Sequence, residues 1–253
     1  MTEFRLADTP AAAGLISECA SPSTAEAFAG LIGDEYKCLA RTFFALRRGP
    51  IRYSRDQTIV IEGEASDYIF LVISGAVRSF RSFQDGTRRI VAFYLPTEFF
   101  GLTNHSTHLL TVEAVADANI LFFKRSALFS MAKRESRIAN FLLTETLNEL
   151  RRTQDRSLHV SRNAKSRVAS FLIDLSERMR TQTCLDLPMS HQDIADHLGL
   201  TIETLSRMIT QMENSGLIGR GRSHRDLILN NRRALVRGEL SRDLLRSVPN
   251  TPS

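Results

Sequence analysis

Apolar and polar positions change their period twice along the chain. Across residues 51–124, short β-branched and aromatic runs (TIVIEGE, DYIFLVISG, AVRSFRSFQDG, TRRIVAFYL and TVEAVADANILFFK) are separated by turn signals. Asp85-Gly86 falls between two alternating runs, where a hairpin needs positive φ, and Gly63, Gly75 and Gly101 punctuate the others. Many short strands at even spacing predict a closed or double-sheet β-roll, which leaves few exposed edges. Residues 1–24, rich in Ala, Ser, Thr and Pro without a sustained period, read as a loose arm, and a short helix follows over 25–47. Beyond residue 125 the period becomes helical. Ile138, Leu142, Leu143, Leu147 and Leu150 share one apolar face of SALFSMAKRESRIANFLLTETLNELRRTQDRSL. A continuous helix over 126–158 would run about 50 Å at roughly 1.5 Å per residue, more than a small domain covers. Either it folds back on its own β-domain, or it forms the seam of a homodimer.

Composition marks a soluble globular chain. Of 253 residues 43% are apolar and 24% charged, which indicates neither disorder nor a fibrous repeat. No apolar run approaches the roughly 20 residues needed to cross a bilayer, so no membrane partner is expected. The acidic start MTEFRLADTPAAAGLISECA lacks the basic and apolar blocks of a secretion signal, and a cytoplasmic location is expected. Net charge is +5, unevenly placed: residues 1–158 carry 19 Lys and Arg against 18 Asp and Glu, whereas 159–253 carry 14 against 10. The C-terminal surplus is almost all arginine, whose planar fork suits phosphates and guanine edges, so a nucleic-acid partner is indicated. Cys19, Cys38 and Cys184 have no metal-binding rhythm and an odd total, which excludes a disulfide scaffold. No Ser/His/Asp set, paired acids or phosphate loop marks an enzyme.

The C-terminal third carries the most specific pattern. NAKSRVASFLIDLSERMRTQ, residues 163–182, is amphipathic, with Val168, Phe171, Leu172, Leu175 and Met179 on one side. In LPMSHQDIADHLGLTIETLSRMITQMENSGLI, Pro188 and Ser190 signal a helix start, and Ile194, Ala195 and Leu198 give that helix a buried face. Ala195 is small enough for a tight helix crossing. Gly199 ends the helix, Thr201 caps the next, and Leu205, Ile209 and Met212 anchor the second helix inward. These features predict a helix-turn-helix, although a helical hairpin that never meets DNA shares several of them.

The outward face of the second helix favours DNA. Thr201, Ile202, Glu203, Thr204, Ser206 and Arg207 crowd its first two turns, the part that enters a major groove, and Ser190 and His191 flank it from the preceding helix. Arg207 can take guanine O6 and N7 together, and Glu203 can accept from a cytosine amine. Their (i, i+4) spacing lets the acid hold the arginine in place, as an ordinary surface ion pair also would. After Gly216, LIGRGRSHRDLILN reads as two short strands around a basic turn: a wing from which Arg220, Arg222 and Arg225 either reach phosphates or stay solvated. Cys184, just ahead of these helices, is a candidate redox-sensitive thiol. His105 and His108 with Glu113 give a weak metal pattern in an expected surface loop.

The whole arrangement, an α+β fold of β-roll, long dimerisation helix and C-terminal winged helix-turn-helix, resembles the Crp/Fnr superfamily of bacterial regulators over residues 25–232. Through VISGAVRSF, RRIVAFYLPTEFFGL and LPMSHQDIADHLGLTIETLSRMITQME it looks most like the FixK-like branch. Glu203, Ser206 and Arg207 match the Fnr-type E-x-x-S-R signature. The resemblance implies a cyclic-nucleotide-binding-like roll over 25–125, a dimerisation helix over 126–158, a DNA-binding domain over 159–232 and a tail over 233–253. It further implies a homodimer on a TTGA-N6-TCAA inverted repeat, and recruitment of RNA polymerase as an activator in oxygen-limited or nitrogen-related control.

Two family sites are not matched. Three cysteines cannot build Fnr's four-thiolate iron–sulfur cluster. The stretch aligned with the cyclic-nucleotide pocket, FGLTNHSTHLLTVEAVA, has Leu102 in place of the family's acid and contains no arginine. No cofactor is expected and the roll is read as a scaffold; the rival is an effector-gated sensor whose roll binds an unidentified small molecule.

Overall fold

The computed structural model describes residues 43, 46–159, 163–181, 183–221, 223 and 225–237. The expected arm over 1–24, most of the 25–47 helix, Cys19, Cys38, Arg222 and the tail beyond residue 237 lie outside the described residues, as does the side chain of Leu158. Two compact units divide the chain, Met1–Arg152 and Thr153–Ser253.

In the first unit eight strands form two antiparallel sheets: β1 (Arg47–Tyr53), β8 (Ala118–Lys124), β3 (Tyr68–Ser74) and β6 (Phe99–Phe100) in one, and β2 (Thr58–Val60), β7 (Thr111–Ala114), β4 (Val77–Ser82) and β5 (Arg88–Tyr94) in the other. Between the sheets lie Phe70, Val72, Ile120 and Phe122 from one side and Val77, Tyr94, Val112 and Ala114 from the other. The alternate positions on β3 and β8, Ile69, Leu71, Leu121 and Phe123, are buried in a second cluster with helical residues. Both faces of these strands are covered, which is why YIFLVIS and ILFF read as continuous apolar runs instead of alternating ones. The Asp85-Gly86 turn closes the β4–β5 hairpin with Gly86 at φ 79°. TVEAVADANILFFK, in contrast, splits into β7 and β8.

The helix expected over 126–158 is broken. α1 (Arg125–Ala132) ends at Lys133, and α2 (Ser136–His159) starts afresh. Leu128 and Ile138 are both fully buried in the same cluster. Ten residues apart on one straight helix they would be about 80° out of phase and about 15 Å apart, so the turn at 133–135 resets the phase. Phe141 then locks α2 onto the roll, its ring 4.7 Å from that of Phe43 and 4.9 Å from that of Phe99. About three turns further on, Arg152 donates to Glu98 at 2.9 Å.

Ile138 and Leu142, expected in a dimer seam, therefore belong to the roll's own core, 0% and 8% exposed. Leu143, Leu147 and Leu150 point the other way and are 57%, 53% and 50% exposed. The five residues do not form one face. Apolar side chains on two sides of α2 merge into one stripe when only their spacing is visible.

In the second unit, α3 (Ala164–Arg178) buries Val168, Ala169, Phe171, Leu172 and Leu175, while Met179 serves as its half-buried C-cap. α4 (His191–Leu198) and α5 (Ile202–Asn214) follow. Strand β11 (Asp226–Leu229) lies between β10 (Ile218–Arg220) and β9 (Cys184–Asp186). The short helix α6 (Arg232–Arg237) packs beside α3, where Arg232 donates to Glu177 at 2.6 Å.

Candidate nucleic-acid interface

Local chemistry fixes both helix starts. Ser190 forms a complete capping box: its Oγ accepts from the Asp193 amide, while the Asp193 carboxylate accepts from the Ser190 amide and hydroxyl. Capping of this kind stabilises a helix start by about 1 kcal/mol. Gly199 then turns the chain in the left-handed region, φ 62° and ψ 43°, and Thr201 caps α5 by accepting from the Thr204 amide. Ala195 and Leu205, both fully buried, lie on the inward faces of α4 and α5.

With Leu205, Ile209 and Met212 inward, Thr201, Ile202, Glu203, Ser206 and Arg207 are all exposed on the outer surface of α5, and Thr204 is half-buried beside them. His191 and Ser190 are half-buried at the start of α4. The carboxyl of Glu203 is held below the usual range by its own backbone amide first, then by the Thr201 hydroxyl and, more weakly, by the charge of Arg207. The expected ion pair between Glu203 and Arg207 does not form among the described residues. Glu203 turns back towards the positive end of α5, which attracts carboxylates, and Arg207 reaches the Thr204 hydroxyl at 3.4 Å. The guanidinium fork stays open to solvent.

The wing matches the two-strand pattern and adds a third strand, β9, which the sequence pattern missed because only Leu185 of its three residues is buried. Asp226 closes the tip by accepting from the Ser223 amide, and a Cβ on Gly221 would collide with the Asp226 side chain. Arg225 is exposed at that tip. Arg220 is engaged, its Nε donating to Glu213 of α5 at 2.8 Å, and this partner raises its pKa. Cys184 is a free, exposed thiol on β9.

Two arginines that periodicity did not single out shape the surroundings. Arg167 on α3 donates to the carbonyl of Leu198, where α4 ends. In the roll, Arg125 donates from one nitrogen to Ser66 Oγ and to the carbonyls of Thr103 and His105, at 2.8, 3.0 and 2.8 Å. It clasps the loop that carries Leu102, and Leu102 packs against the α1–α2 cluster. The nearby cavity, lined by Val60, Glu64, Tyr68, Phe70 and His108 among others, measures about 10 Å³, room for about one water. His108 is 9% exposed, so it is no surface residue, and Glu113 is occupied by Arg78 at 2.8 Å. Among the described residues no three His, Cys, Asp or Glu side chains converge as a metal site, and no helix is long and apolar enough to cross a membrane.

Comparison with known proteins agrees with this anatomy. The Crp-like helix-turn-helix domain family matches residues 166–237 and the cyclic nucleotide-binding domain family residues 50–135. The chain is 37% identical to the nitrogen fixation regulation protein FixK of Azorhizobium caulinodans over 214 residues, 82% of this chain and 86% of that protein. It is 40% identical to FixK of Rhizobium meliloti over 167 residues, 66% and 76% of the two chains. The solved structure of FixK2 from Bradyrhizobium japonicum superposes with a TM-score of 0.70 at 39% identity, covering 73% of this chain and 93% of that one. The chain belongs to the Crp/Fnr superfamily, a family of transcription regulators and not of enzymes, in its FixK-like branch.

Proposed function

We propose that the protein is a transcription activator that binds a TTGA-N6-TCAA inverted repeat as a homodimer and recruits RNA polymerase in oxygen-limited or nitrogen-related gene control. One observation carries the reading: Glu203, Ser206 and Arg207 are exposed together on the first turns of a capped helix whose opposite face is anchored in the domain. Arg207 takes the half-site guanine and Glu203 the opposite cytosine, with Ser206 between them. Ser190, His191, Thr201, Ile202 and Thr204 flank this surface, and Arg225 with Arg222 supplies phosphate contacts from the wing. A two-fold protein on a two-fold site places both recognition helices in successive major grooves. Leu143, Leu147 and Leu150 form the seam between protomers. The names of the FixK relatives support the nitrogen-related setting. The roll acts as a scaffold, clasped by Arg125, and Cys184 remains a thiol open to oxidation.

The test is fluorescence anisotropy without added ligand on a TTGA-N6-TCAA duplex and on one with the guanines replaced, at fixed salt. Each replaced guanine should cost roughly 1 to 3 kcal/mol, and Arg207→Ala should remove the difference. Equal weak binding to both duplexes sinks the half-site or reveals a required effector.

A further inference from the structure

The two helices of the helix-turn-helix are joined only by Gly199, Leu200 and Thr201, so the angle at which α5 leaves α4 depends on what holds those residues. Within the turn, the Leu200 amide donates to the Ala195 carbonyl at 2.9 Å. The Gly199 amide donates to the same carbonyl and Thr201 caps α5; a further hold comes from a different helix. Arg167 Nη1 donates to the Leu198 carbonyl at 2.8 Å and reaches the Gly199 carbonyl at 3.5 Å. These carbonyls lie at the negative end of α4, where a helix leaves acceptors unpaired and a cation is favoured. Arg167 sits one residue before the buried Val168 and Ala169 of α3, so its fork is referenced to the domain core. Its Nε is buried without a hydrogen-bond partner among the described residues. An apolar side chain would avoid that desolvation cost, so the fork is retained here at the expense of a buried donor.

We infer that Arg167 is a positioning residue for base readout: it clamps the α4–α5 turn, and thereby sets the angle of Glu203, Ser206 and Arg207, without touching DNA. This rests on the function proposed above. Base recognition tolerates displacements of only about 0.5 Å or 10–20°, whereas phosphate contacts from flexible side chains are far less demanding. Loosening the turn therefore lowers specific affinity selectively.

Arg167→Met keeps the stem and removes the donors; Arg167→Lys restores a cation without the fork. Both are compared with the wild-type full chain on the two duplexes over a salt series, together with amide exchange at Leu200. Arg167→Met should lose about tenfold or more on the TTGA duplex, with affinity for the guanine-replaced duplex and the salt slope unchanged. Leu200 exchange should quicken, and Arg167→Lys should recover part of both effects. A merely structural role would weaken both duplexes alike, and that result overturns the proposal, as does a Met variant that discriminates like the wild type. If Arg167→Met does not fold, Arg167→Lys must itself show the selective loss at unchanged melting temperature, and wild-type discrimination by it is the overturning outcome. A wild type that fails to discriminate the duplexes refutes the half-site instead. The clamp is then judged on exchange alone, and unchanged Leu200 exchange in the variants overturns it.

Discussion

The two faces of α2 make opposite predictions for substitutions only nine residues apart. Ile138 is fully buried in the roll's core, so Ile138→Ala leaves a cavity and costs about 2–5 kcal/mol of unfolding free energy regardless of protein concentration. Leu147 is 53% exposed in the protomer, so about half of the roughly 1.5–3 kcal/mol available from burying a leucine is still to be gained by association. In the proposed two-fold seam, Leu147→Ala would remove two such side chains, about 1.5–3 kcal/mol per dimer, which would weaken self-association roughly 10- to 150-fold. It costs the fold of each protomer about 0.7–1.5 kcal/mol, less than Ile138→Ala does. Sedimentation velocity over a dilution series gives the dimer constant, and urea unfolding at two protein concentrations gives stability. Ile138→Ala should lower the urea midpoint equally at both concentrations, and Leu147→Ala should shift the dimer constant. A dimer constant unmoved by Leu147→Ala but displaced by Ile138→Ala would refute the division of the helix into an inward and an outward face.

Two further predictions concern the roll. A Cβ at Gly75 would collide with the Asp117 carbonyl and sit 2.7 Å from the Ala118 Cα, with φ at 77°, whereas Gly63, at φ 90°, has nothing within 4 Å of the same position. Gly63→Ala should cost only its backbone strain, about 1–2 kcal/mol, and Gly75→Ala considerably more; similar melting temperatures for the two would contradict the register at the β3–β4 turn. Burial of His108 pushes its pKa below the ordinary value, favouring the neutral ring. The unfolded chain then takes up the proton first as pH falls below about 6.5, so stability drops from there towards the folded-state pKa. The urea midpoint should decline between pH 7.5 and 5.5 and do so less in His108→Gln; an equal decline in both points to another group.

What was legible in the sequence was local. Ser190, Gly199 and Thr201 act on backbone groups within a few residues of themselves, so their roles follow from residue type and spacing, and the buried triad Leu205, Ile209 and Met212 follows from the helical period. The break at 133–135 was not legible, because Lys133, Arg134 and Glu135 are all good helix formers and the turn is imposed by Leu128 and Ile138 reaching one cluster. Arg167 and Arg125 act across 31 residues to Leu198 and 59 residues to Ser66; no local period records such pairings. Glu203 and Arg207 failed in the opposite way: the spacing permits a pair, but the amides at the start of α5 compete for the same carboxylate.

The Arg220–Glu213 pair changes how the wing responds to salt. An arginine that moves from bulk solvent onto a phosphate releases a condensed cation from DNA, and that release produces the salt slope. Arg220 already carries its counterion in the form of Glu213. If it transfers to phosphate it must give up that pair, and because salt weakens the pair as well as the phosphate contact, the net salt dependence is reduced. In the proposed complex Arg220 would therefore contribute orientation with less ionic-strength dependence, and exposed Arg225 more of the salt-sensitive part of the wing's hold.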